Sequence, residues 1–280
     1  MSNTKLFLLT AVAMVMFALN SLLCRLAFNE TEIDQNSFTA LRLLSGALFM
    51  LLIHQSRSAD NKLAGNWWSS FALFVYAAGF SFAYVHLDAA TGALLLFGAV
   101  QLSLIIYGVK QGERPNKVQL MGLTVAASGV VMLILPGATS PPWIASILMI
   151  VAGIAWAVYT LRGKQEVSPA AATKGNFVRT IPMLVILLLV MHQELHWDSQ
   201  GAIYALVSGA LASGFGYMIW YKALPYHTAI SAAVVQLTVP PITAFGGVFL
   251  LKEHMPLNLI VLSFIILGGV GLFILFKRHA

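Results

Sequence analysis

The sequence predicts an all-α integral membrane protein: ten transmembrane helices arranged as two inverted five-helix repeats around a central cavity. Three observations predict it. The first is composition. Of 280 residues, 59% are hydrophobic and only 9% charged, with a mean hydropathy of +0.83; a soluble domain carries roughly a quarter charged residues. A soluble core cannot hide so much apolar surface, whereas lipid accepts it. The second is spacing. Apolar runs of about 20 residues, the length that crosses a bilayer, alternate with short joints rich in Gly, Pro, Asn and charge. The third is the way Lys and Arg divide between alternate joints.

The runs are 5–27, 37–54, 67–86, 90–109, 117–135, 142–162, 174–192, 200–221, 228–251 and 257–276. An even number puts both termini on one face. With that face cytoplasmic, Lys5, Arg57, Lys62, Lys110, Arg114, Lys117, Arg162, Lys164, Lys174, Lys222, Lys277 and Arg278 lie on it, and Lys252 alone lies opposite. One missing span would scramble this positive-inside bias. The bias also accounts for the pI of about 9.5 without a nucleic-acid partner, since the basic residues form no patch. Cys24 is the single cysteine, so no disulfide framework or multi-cysteine metal site is expected within one chain. The first run could pass for a signal peptide, but it carries Asn20, Cys24 and Arg25 in its last third, shows no A-x-A-like cleavage site and leads into an acidic loop, and it reads as a retained span. Asn29-Glu30-Thr31 matches a glycosylation sequon but lies too close to the membrane to carry weight.

The turn-rich joint from Pro136-Gly137 to Pro141-Pro142 divides the chain into units 1–137 and 138–280, each with five spans. An odd number per unit means the second enters the membrane from the opposite face. The halves echo one another. Gly79–Leu102 and Gly214–Leu237 both open with Gly-Phe and close with Val-Gln-Leu at the same spacing. Arg25 and Arg162 close spans one and six; Arg42 and Arg179 sit near the starts of spans two and seven; His54-Gln55 and His192-Gln193 end those spans; Glu113 and Glu253 follow spans four and nine. Pro240-Pro241 predicts a broken or reshaped ninth span.

The motifs resemble the drug/metabolite transporter superfamily, in its ten-helix branch with paired EamA domains, over nearly the whole chain. The resemblance rests on Gly112-Glu113-Arg114 with Gln119 and the glycine-rich run to Pro136-Gly137, on Ala155-Trp156-Ala157-Val158-Tyr159, on Tyr217 to Leu224, and on Pro240 placed thirteen residues before Glu253. Val100 stands where the family often has a proline in the first half, and Lys252-Glu253 stands in place of Gly-Glu. The resemblance implies an inner-membrane metabolite exporter or permease.

Candidate binding residues follow from polarity and helical period. Gln101 and Gln236 are amides deep in apolar spans, which either line the cavity or tie spans together by interhelical hydrogen bonds. Tyr76, Phe80 and Tyr84 recur every four residues on one face of span three, and Tyr217 and Tyr221 do so in span eight beside Trp220. Tyr84, Trp220 and Tyr221 also suit an interfacial belt. Trp156 and Tyr159 share a face of span six, and Asn20 and Ser21 are the polar residues of span one. Arg42 and Arg179 are placed to gate the halves, to contact an anion, or to snorkel to the interface. Glu113 and Glu253 read as anchors at helix ends. Gly209, Ser213 and Gly216 give span eight a small-residue packing surface.

No Asp or Glu falls near the middle of any span, which argues against a simple proton antiporter. A lining of amides, aromatics and few charges suits a small neutral or zwitterionic organic molecule, an amino acid or similar, exported by alternating access. The rival readings are a membrane-embedded enzyme and a structural or lipid-handling protein. The enzyme lacks an H-E-x-x-H, G-x-S-x-G or phosphate-loop motif. The expected partners are a small-molecule substrate and the lipid bilayer, with no nucleic acid, cofactor or metal; a monomer is admissible.

Overall fold

The computed structural model describes residues 1–55, 64–112, 116–134, 141–192, 195–254 and 256–276. The joint that divides the two units, together with Arg57, Lys62, Glu113, Arg114, Gln193, Lys277 and Arg278, lies outside them, as do the side chains of His54 and Gln55.

Ten helical spans make up the described residues: α1 (Asn3–Glu30), α2 (Gln35–Gln55), α3 (Trp67–Tyr84), α4 (Ala89–Lys110), α5 (Lys117–Ile134), α6 (Trp143–Lys164), α7 (Pro169–Val190), α8 (Ser199–Tyr226), α9 (Ala229–Leu251) and α10 (Leu257–Leu275). Seven of them are long and apolar enough to cross a membrane. The other three, α3, α5 and α10, are 18, 18 and 19 residues long. Trp67-Trp68-Ser69-Ser70 at the head of α3 lowers its apolar average. Trp67, Trp68, Trp143 and Trp197 stand exposed at helix ends, where an amphipathic ring meets the headgroups.

Caps fix where helices begin. Ser2, Asn66, Asp198 and Thr228 each accept a backbone N–H from three residues on, at α1, α3, α8 and α9, satisfying donors the first turn leaves open. Pro169 starts α7 at its first position, five residues before the expected boundary, because its missing N–H costs nothing there.

Two helices depart from regular form. In α8, residues Ser208–Phe215 form a π-helical stretch and Leu224–Tyr226 a 3-10 turn. In α9, a 3-10 turn at Gln236–Thr238 separates Ala229–Val235 from Val239–Leu251. The second break is the one Pro240-Pro241 announced: Pro240 sits in the first turn of the new segment, where no N–H is needed.

The packing repeats itself on exchange of α1–α5 with α6–α10. Helix α3 lies along α6 as α8 lies along α1; α4 packs on α6 as α9 packs on α1; α2 packs on α8 as α7 packs on α3. Helices α2 with α7, α4 with α9, and α5 with α10 pair across the axis. Five helices per half make the relation an inverted one. The start of α1 and the end of α10 fall on one side, here the terminal face; the other is the distal face.

Candidate functional site

Where the halves meet, polar and aromatic side chains from both converge. From the first half, Asn20 (α1) donates to the Tyr76 hydroxyl (α3) at 3.1 Å and accepts from Ser208 (α8) at 2.6 Å. Arg42 (α2) donates through Nε to Ser213 Oγ at 3.3 Å and through NH2 to the hydroxyls of Tyr76 and Tyr217 at 3.2 and 3.4 Å. Its guanidinium carbon lies 5.2 Å from the Tyr76 ring centre and 4.7 Å from that of Phe80, within cation–π reach. From the second half, Trp156 Nε1 donates to Gln236 Oε1 at 2.8 Å, and Gln236 Nε2 donates to the Ala232 carbonyl. Trp156 packs its ring against Tyr76, Tyr217, Tyr159 and Phe17 at centroid distances of 4.9, 4.7, 5.9 and 5.2 Å.

The aromatic side chains expected to line the cavity meet between the halves. Tyr76, Phe80, Trp156, Tyr159 and Tyr217 are all buried, because edge-to-face and tilted ring contacts close the centre. Two clefts open elsewhere among the described residues. One of about 460 Å³ lies among α4, α9 and α10, lined by Pro240, Phe245, Phe249 and Phe264. Another of about 450 Å³ lies between α3 and α6, lined by Trp68, Phe71, Val151 and Val158. Phe245, Phe249, Phe264 and Trp68 are exposed, so both clefts face the lipid side.

Asn20, Tyr76, Phe80, Trp156, Tyr159, Tyr217 and Gln236 are thus brought together, with Arg42 among them. Gln101 is not. It faces Leu123, Ala126 and Ile266 of α5 and α10, and its buried Nε2 meets no acceptor among the described residues. Arg179 is not there either: it donates to the Ala64 carbonyl at 2.7 Å on the terminal face. Arg42 does not snorkel. It is 1% exposed, no carboxylate of the described residues pairs with it, and its NH1 has no acceptor among them. An unpaired cation at the centre of a bilayer costs at least about 2.5 kcal/mol. Tyr84, Trp220 and Tyr221 are buried inside the bundle and are not belt residues: Tyr84 packs on Phe80, and Tyr221 on Tyr159.

Sequence reasoning missed Phe17, Phe177 and the polar role of Ser208 and Ser213. Phe177 stacks on Tyr217 at 6.0 Å. The two serines are five residues apart, a spacing that separates them by about 140° on an α-helix. In the π stretch, with its wider turn, both reach the centre. Gly209 permits this, because a Cβ there would collide with the Arg42 carbonyl and Ser45 Oγ of α2.

Each mouth of the centre is bridged by an arginine. On the distal face Arg25 Nε donates to Glu253 Oε1 at 2.9 Å, and Glu253 Oε2 accepts the Ala89 N–H at 2.9 Å. Burial pushes the Glu253 carboxyl up, against the pull of Arg25 and that N–H. On the terminal face Arg162 donates to Asn66 Oδ1 and Ser69 Oγ, both at 2.9 Å.

Duplicated, inverted bundles spanning the membrane and meeting in an occluded polar and aromatic centre define a multi-pass membrane protein of the transporter class. The EamA-like transporter family model matches residues 4–135 and again 143–275, and the chain belongs to that family. An uncharacterised protein of Pseudomonas aeruginosa is 49% identical, with 97% of this chain and 95% of the relative covered. An uncharacterised transporter of Archaeoglobus fulgidus is 26% identical over 96% and 97%. A probable terminal-alkyne amino-acid exporter of Streptantibioticus cattleyicolor is 24% identical over 61% of this chain and 59% of its own. A solved crystal structure, 16% identical and covered in full as this chain is, superposes with a TM-score of 0.74, a likeness of fold.

Proposed function

We propose that this transporter moves a small neutral or zwitterionic organic metabolite, an amino acid or a compound like one, outward across the cytoplasmic membrane by alternating access. The terminal face is cytoplasmic. The units 1–137 and 138–280 rock about the centre so that it opens first to one face and then to the other. One observation carries this reading: Asn20, Arg42, Tyr76 and Phe80 of one half meet Trp156, Ser213, Tyr217 and Gln236 of the other in a closed cluster. Residues gathered from two bodies are separated when the bodies move, which is what a site open to alternate sides requires. Rings supply apolar contact for an organic body, and the amides and hydroxyls supply donors and acceptors. The exporter among the relatives supports the amino-acid class.

The test is flux in proteoliposomes loaded with a metabolite mixture, read from both orientations. The expected result is protein-dependent movement of neutral or zwitterionic compounds. Movement of dianions and polyanions alone would refute the substrate class, and termini cleaved by protease added outside intact cells would refute the orientation.

A further inference from the structure

Arg42 is the feature of the centre that a neutral substrate leaves unexplained. Its guanidinium is fully buried, about 10 Å down α2 from Gln35, among Tyr76, Phe80, Ser213 and Tyr217. Neither ion pair among the described residues includes it. Hydroxyls accept from Nε and NH2, while NH1 meets no acceptor among the described residues. A buried cation is ordinarily paired, and every other described arginine has an acceptor at 2.9 Å or less.

We propose that Arg42 binds the carboxylate of the transported molecule, so that the substrates are monocarboxylates, neutral amino acids foremost. This assignment rests on the carrier reading above and adds which end of the substrate meets which residue. The planar guanidinium matches a carboxylate in geometry. The Tyr76 hydroxyl oxygen already accepts from Asn20 and Arg42, which leaves its proton for an incoming oxygen. The charge selects the class. One carboxylate pairs with the one guanidinium; a phosphate dianion would leave an excess negative charge against π faces that repel it, whereas the ammonium of an amino acid meets faces that attract it. An ammonium group on the same molecule finds the π faces of Trp156 and Tyr217 and the acceptor oxygens of Asn20 and Gln236. The π-helical stretch that sets Ser213 on Arg42 Nε fits such a site, since π-bulges are frequent at functional positions.

The experiment uses membrane vesicles carrying the full chain, loaded with host-cell metabolite extract plus neutral L-amino acids and their carboxamides. Efflux is read by mass spectrometry against vesicles without the protein. The expected result is efflux of carboxylate-bearing compounds, with amino acids favoured at least tenfold over their carboxamides. Arg42→Gln loses that efflux at least tenfold, and Arg42→Lys keeps part of it. Thermal unfolding separates binding from architecture: without substrate, Arg42→Gln and Arg42→Met unfold at or above the wild-type temperature, since each removes an unpaired buried charge. Carboxamide efflux equal to that of the acids, unchanged efflux in Arg42→Gln, or lower unfolding temperatures in both uncharged variants would overturn the assignment while leaving the carrier reading in place. Wild-type vesicles that release nothing beyond the controls would overturn the carrier reading, and this assignment with it.

Discussion

At the distal mouth Arg25 reaches from α1 to the carboxylate of Glu253, between α9 and α10, with Asp88 3.5 Å from its other nitrogen. At the terminal mouth its counterpart in the other half, Arg162, meets the amide of Asn66 and the hydroxyl of Ser69. The helix caps differ in the same sense: Asn66 caps α3, and the acid Asp198 caps α8. Duplication has kept the position of the cation and of the cap while the partners diverged. One mouth is held by groups that titrate and the other by groups that do not, although both belong to the same pseudo-symmetric frame. An alternating cycle needs unequal mouths if acidity or salt is to favour one facing over the other.

The largest expected difference is in the arginines. Arg25→Ala leaves the half-buried Glu253 carboxylate without its cation and is expected to cost about 2–3 kcal/mol. Arg162→Ala removes hydrogen bonds from a charged donor to neutral acceptors and is expected to cost about 1–2 kcal/mol. Thermal unfolding of the detergent-solubilised protein checks both. A double-mutant cycle of Arg25→Ala with Glu253→Ala isolates the ion pair. An Arg162→Ala cost larger than that of Arg25→Ala would break the comparison. Asn66→Ala comes next, losing the α3 cap for about 1 kcal/mol together with the Arg162 acceptor.

Acidity then separates the distal face, where two carboxyls respond with opposite sign, from the terminal mouth, where Asn66 and Ser69 do not respond. Burial raises the Glu253 carboxyl above its ordinary value. Its contribution to stability is therefore full below the unfolded value and is lost as pH rises through the folded one. Asp198 is held low, first by the Gly201 N–H and then, against some desolvation, by that of Glu32. Its contribution is present above the unfolded value and is lost as pH falls through the folded one. Glu253→Gln should therefore gain on the wild type as pH rises, and Asp198→Asn should gain on it as pH falls. Unfolding temperatures across the carboxylate range test both. Asn66→Ala should shift the temperature equally at every pH.

The fold was legible because lipid leaves so little choice: apolar length sets the spans, and the Lys and Arg bias sets their number. The convergence of Tyr76, Phe80, Trp156, Tyr159 and Tyr217 follows helical period and was legible too. The paired glutamines were not. Gly79–Gln101 and Gly214–Gln236 have equal spacing in sequence, but the joint falls differently within it. Helix α3 ends five residues after Gly79, whereas α8 runs twelve past Gly214. Counted from the caps Asp88 and Thr228, Gln101 lies five residues further along its helix than Gln236, about 7 Å deeper and about 140° round. One amide therefore meets Trp156 and the other faces α5. Of the three readings of Arg42, snorkelling fails for a related reason. A position near a helix start suggests snorkelling, yet seven residues of depth exceed what the side chain can climb when α8 packs over it. The π stretch in α8 has no signature in the sequence beyond its run of small residues.

The smallest effect bears on the comparison at single-residue scale. Gly112 follows α4 at the terminal face with φ of 92°, and Lys252 follows α9 at the distal face with φ of 53°. Both are left-handed ends of the fourth span of their half. A left-handed residue there lets the chain turn back on the helix: the N–H groups of Lys252 and Glu253 both reach the Gly247 carbonyl. Glycine adopts this conformation freely, whereas a side chain costs roughly 1–2 kcal/mol. Lys252 is exposed, so replacing it removes little contact. Lys252→Gly should stabilise by about 0.5–1 kcal/mol, the relief of strain being partly offset by the freer unfolded chain. Gly112→Ala should lose a similar amount. Chemical unfolding of both variants at one pH reads the difference. A loss in Lys252→Gly would mean that the lysine charge itself helps hold the distal mouth, which would widen the contrast between the two ends.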